Sequence, residues 1–96
     1  MPERPDEGAV TFIGFVLSLA HTAAVHFGDI PDPATGEPAE ANVAAAGQII
    51  EIIALLEEKT RGNLTVEERQ FLEQILYELR VRFNDAQKPQ SRIITP

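Results

Sequence analysis

Apolar side chains recur at intervals of three and four in three separate stretches of the chain, which predicts three helices and no strand. In the first, Phe12, Phe15, Val16, Leu19, Ala23 and Phe27 form one stripe, while Ile13, Leu17, Ala20 and Ala24 cover its flank. This helix is expected over about Ala9–Phe27, with Gly28 as its stop. Gly14 lowers helix propensity inside it and suggests a close crossing with a neighbour. In the second stretch Ile49, Ile50, Ile52, Ile53, Leu55 and Leu56 make an apolar arc wider than one face. Gln48, Glu51, Glu57 and Glu58 mark its solvent side, Asn42 suits its N-cap, and it is expected to run to Lys59, ahead of Gly62.

The third stretch opens on a capping box, Thr65 followed three residues later by Glu68. Its stripe is narrow and regular: Phe71, Leu72, Ile75, Leu76, Leu79 and Phe83. Glu67 and Glu68 suit the positive end of the helix dipole, and Arg80 and Arg82 the negative end. Glu78 and Arg82 are correctly ordered for an i,i+4 ion pair. The second and third helices, joined by a short link, are expected to form an antiparallel hairpin. The fold class is therefore all-α, a three-helix subunit in which a proline-rich loop joins helix 1 to that hairpin. Residues 1–8 read as a disordered lead, 9–86 as one helical domain and 87–96 as a flexible tail.

One stretch raises a further question: the 21 residues from Gly8 to Gly28 hold no Asp, Glu, Lys or Arg. That is long enough to span a bilayer. The preceding MPERPDEG is too acidic for the basic region of a secretory signal. A membrane span would lack flanking Lys and Arg and would place Thr11, Ser18, His21, Thr22 and His26 in lipid. A buried helix is the better reading. A chain of 96 residues buries only about 60–65% of its surface and hardly surrounds such a helix by itself. A symmetric homodimer resolves this, intertwined or side by side, with helix 1 near the two-fold axis. Phe12, Phe15, Val16, Leu19, Ala23, Ile49 and Ile53 are its expected interface, with Tyr77 and Val81 as a minor stripe open to a second subunit.

Charge and composition narrow the partners. Net charge is −7 and the isoelectric point near 4.7, which argues against nucleic acid and against anionic membranes. The absence of cysteine removes disulfides and thiolate metal sites and suits a reducing cytoplasm. No cofactor is expected.

Two groups invite chemistry. His26, Asp29 and Asp32, with His21 and Glu37 nearby, offer imidazole and carboxylate ligands for a divalent metal. His21 and His26 lie five apart, about 140° around a helix, so they do not converge as an i,i+4 pair does. Ser18 or Thr22 beside His21 lacks any nucleophile motif, and such helical hydroxyls ordinarily bond the preceding turn. No catalytic residue is assigned, and the balance is against an enzyme. The loop residues Ile30, Pro31, Asp32 and Pro33 form a stiff segment suited either to a partner's groove or to bracing the chain's own core.

Several ordered motifs resemble a bacterial family, domain of unknown function 1844. They are Phe15-Val16-Leu17-Ser18-Leu19-Ala20, then His26, Gly28, Ile30-Pro31-Asp32-Pro33, Thr35-Gly36-Glu37 and Asn42. Leu56-Glu57-Glu58-Lys59-Thr60, Gly62-Asn63-Leu64-Thr65 and Leu76-Tyr77-Glu78-Leu79-Arg80 complete the pattern over about residues 12–86. The resemblance implies a small, soluble, cytoplasmic helical protein and carries over no catalytic residue. The chain departs from the pattern at Ala39–Gly47, where alanines replace a more charged helix start. The expected function is a homodimeric interaction or scaffold module, with a His26-centred metal or ligand site and a membrane-associated subunit as alternatives.

Overall fold

A computed structural model describes residues 10–37 and 40–88 of the 96. The expected lead, Pro38, Ala39 and the tail from residue 89 lie outside them. Three helices account for the described chain: α1 Phe12–Phe27, α2 Val43–Lys59 and α3 Val66–Gln87.

Each helix begins on a side-chain cap. Thr11 accepts from the Gly14 amide at 2.9 Å, so α1 starts at Phe12 rather than at Ala9. Asn42 accepts from the Ala45 amide at 3.1 Å and opens α2 despite the alanine-rich turn that follows. Thr65 and Glu68 form a reciprocal box, with bonds of 3.0 and 2.9 Å, at the start of α3. Gly28 ends α1 in the left-handed region at φ 84°, where its amide bonds back to α1 carbonyls. α3 continues to Gln87, so Arg80 and Arg82 sit inside it rather than in its last turn.

The core is small. Val16, Ala23 and Phe27 of α1 meet Ala46, Ile50 and Ile53 of α2 and Leu72 and Leu76 of α3. Phe12, Leu19, Ile49, Leu64, Phe71, Ile75, Leu79 and Phe83 close its edges. Val16, Ile53 and Leu72 are its largest fully enclosed side chains, each contributing about 1.5–3 kcal/mol by leaving water.

α2 and α3 run antiparallel, since Gly47 near the start of α2 lies against Phe83 near the end of α3. A methyl group placed on Gly47 would stand 2.8 Å from the Phe83 ring, so this glycine marks the close helix approach. Gly14 does not: a methyl group there would meet only the Thr11 cap hydroxyl, at 2.9 Å. α1 is tied back to α2 where the Asn42 amide donates to the His26 carbonyl at 2.6 Å. Among the described residues no helix is long and apolar enough to cross a membrane. The 16 residues of α1 reach about 24 Å, short of a ~30 Å hydrocarbon core.

Candidate functional site: the uncovered faces of the bundle

The expected interface residues separate into two groups. Val16, Ala23 and Ile53 have no exposed surface within the single chain, because α1, α2 and α3 already enclose them. Phe12, Leu19 and Ile49 pack on the edge of the same core. Of the seven, Phe15 alone stands exposed, with 44% of its surface open. The apolar excess of α1 is thus consumed largely inside the protomer, and what remains outside is a different set. Leu17 on α1, Ile52 and Leu55 on α2 and Tyr77 and Val81 on α3 all stand in water.

The outward side of α1 is polar without being charged. Ser18 donates its hydroxyl to the Phe15 carbonyl at 2.8 Å, and Thr22 donates to the Ser18 carbonyl at 3.0 Å. These hydroxyls face solvent, and each bonds the preceding turn as expected of such residues. They have no geometry suited to nucleophilic chemistry with His21.

Asp29 and Asp32, the carboxylates expected beside His26, are each engaged by other partners. Arg82 grips Asp29 with two bonds of 2.7 and 2.8 Å, and its guanidinium lies 4.9 Å from the Phe27 ring centre. Those Arg82 hydrogen bonds hold the Asp29 carboxyl below its usual range, partial burial opposing them. The expected Glu78–Arg82 pair is absent from this arrangement; Glu78 instead accepts from Gln74 at 2.6 Å. Asp32 turns its carboxylate to the Ala34 amide at 2.9 Å. Its own amide donates to the Glu37 carbonyl at 2.9 Å, and its carbonyl accepts from Gly36 at 2.7 Å. The loop is therefore a braced turn in which Ile30 is half-buried and Pro31 and Pro33 are exposed. Among the described residues no three His, Asp or Glu side chains gather to hold a metal ion.

Two features escape a reading of the sequence. One is the Arg82–Asp29 bridge, which spans 53 positions. The other is a shallow open groove of about 500 Å³ on the outside of α2, lined by Gln48, Glu51, Ile52 and Leu55. The wide apolar arc of α2 is the signal for the second, since the core needs only part of it.

What the fold and these surfaces define is a small three-helix protein whose distinctive features are uncovered helix faces and a braced loop. Residues 9–85 match the family described as Domain of unknown function (DUF1844), and the chain belongs to that family. No curated protein and no solved structure matches the chain.

Proposed function

We propose that this protein is an interaction module that acts as a homodimer, with its braced loop free to engage a further protein. The observation that carries this reading is the apolar surface left uncovered: Phe15, Leu17, Ile52, Leu55, Tyr77 and Val81 are all exposed around a small core. Single exposed apolar residues are ordinary, but this many around so small a core call for a cover. Self-association is the most economical cover, since a C2 contact uses one patch twice. The turn from Ile30 to Pro33 is stiffened by the Asp32 bonds, so little chain entropy is lost when it docks.

The test is the mass in solution by light scattering after size exclusion, from about 1 to 300 µM, the range in which modest interfaces assemble. The expected result is a mass rising toward twice the monomer value of 10.6 kDa. A monomer mass throughout, from protein with full helical circular dichroism, overturns the reading.

A further inference from the structure

We propose that the dimer contact is the face shared by α1 and α2, each copy seating its Phe15 in the other's groove of Gln48, Glu51, Ile52 and Leu55. This inference rests on the homodimer reading and specifies its surface and occupant, a second copy of this chain.

The two features lie on one side of the bundle. Gly47, Ile50, Glu51 and Ala54 of α2 line a groove with α3. A turn of 3.6 residues puts Ile49, Ile52 and Leu56 on the other flank, the α1 side, where Ile52 stays exposed. α3 reaches α1 from the side of Phe27, over whose ring Arg82 lies, which leaves the flank of Phe15 and Leu19 toward α2. The chain reverses between α1 and α2, and the Asn42–His26 bond sets Phe15 at about the level of Ile52. Knob and groove therefore stand side by side at one height. A two-fold axis parallel to the helices lays α1 of one copy over α2 of the other and satisfies both pairings at once.

The charge pattern of α1 is compatible with contact between two copies. α1 contains no Asp, Glu, Lys or Arg, on a chain of net charge −7. Two copies approaching through it bring no carboxylate of α1 against another, and Glu51 stays at the α2 rim, where it also borders the α3 groove. On the α1 side, Ser18 and Thr22 spend their hydroxyl protons on their own helix. Removing water from them leaves no unbonded donor.

The face is about 24 Å long and ~20 Å wide, with helix axes ~9 Å apart. That footprint of roughly 480 Å² falls below the ~600 Å² per partner at the low end of standard interfaces, which makes this a weak, concentration-dependent contact rather than an obligate one.

The chain has no cysteine, which makes the test clean. Phe15→Cys and Leu55→Cys are prepared separately, mixed at about 200 µM, a concentration at which weak interfaces assemble, and oxidised gently. Mass by light scattering is measured on the wild type alongside. The expected result is a dimer mass and a mixed disulfide well above the twofold excess over each homodisulfide that random pairing of two thiols gives. Leu55→Asp, at a residue already 52% exposed, is expected to weaken association at least ~100-fold while keeping its helical signal. A dimer mass with the mixed disulfide no higher than random pairing gives, and unmoved by Leu55→Asp, overturns this face while leaving the homodimer standing. A monomer at every concentration overturns both.

Discussion

Arg82 holds three parts of the molecule together, and removing it has a calculable effect. The side chain makes a two-bond fork on Asp29 just past the end of α1, and it stacks on the Phe27 ring inside the core edge. Both charged side chains are about 40% exposed, so the ion pair is largely screened and contributes about 0.5–1 kcal/mol. The guanidinium over Phe27 adds about 0.5–1 kcal/mol. Arg82→Ala is thus expected to destabilise by about 1–2 kcal/mol, or roughly 5–12 °C in a domain of this size. Urea unfolding of Arg82→Ala, Asp29→Asn and the double variant separates the pair from the stacking, with an expected Asp29–Arg82 coupling near 0.5–1 kcal/mol. Arg82→Lys keeps the charge but loses the planar fork, and should recover less than half of the loss. The pH dependence follows from the direction of the Asp29 shift. Its folded value is depressed, so the stabilisation is full above the unfolded carboxylate value of about 3.9 and fades as pH falls through the folded one. The wild-type advantage over Arg82→Ala should be constant from pH 5 to about 8 and shrink below about pH 4. A coupling indistinguishable from zero at pH 7 and low salt would refute the account.

Three other outcomes follow from single contacts. Ile53→Ala empties a site with no exposed surface and should cost about 2–5 kcal/mol, read from urea midpoints, enough to unfold much of so small a domain. Thr65→Ala removes one half of the capping box and should cost about 1 kcal/mol, with Thr65→Ser restoring most of it. Gly47→Ala gains helix propensity of about 1 kcal/mol but pushes on Phe83, so the wild-type background should show a net loss. In a Phe83→Leu background the same change should stabilise, and an equal loss in both would dismiss the close approach.

The local rules of the sequence carried the helix limits well and the long-range choices poorly. Asn42, Thr65, Glu68 and Gly28 act within four residues of their partners, so their roles follow from spacing alone. Arg82 had an acceptor four residues back in Glu78, yet it bonds Asp29, because its side of α3 is the one turned to the end of α1. Nothing in the spacing of either residue encodes that orientation. The two helical glycines show the same limit: both interrupt apolar runs, but Gly14 sits over a cap and Gly47 under an aromatic ring. Apolar periodicity marks residues that need burial without saying how much of that burial the chain itself supplies. Three helices enclose Val16, Ala23 and Ile53 fully, while Phe15 stays exposed.

The two connections also differ in a way that bears on the order of assembly. Between α2 and α3 the chain turns within Thr60–Thr65, tightened by the Thr60 hydroxyl on the Leu56 carbonyl at 2.7 Å and the Asn63 amide on Thr60 at 2.8 Å. Between α1 and α2 the link is longer, from Gly28 to Asn42. Closing the short link costs less chain entropy, so the α2–α3 pair is expected to form early in folding and α1 to dock onto it afterward. In native-state hydrogen exchange α1 amides should then open at lower free energy than those of the α2–α3 pair, as a separate cooperative unit. The helix with the most apolar sequence in the protein would be the last to settle and the first to leave, with its apolar side bared for that interval.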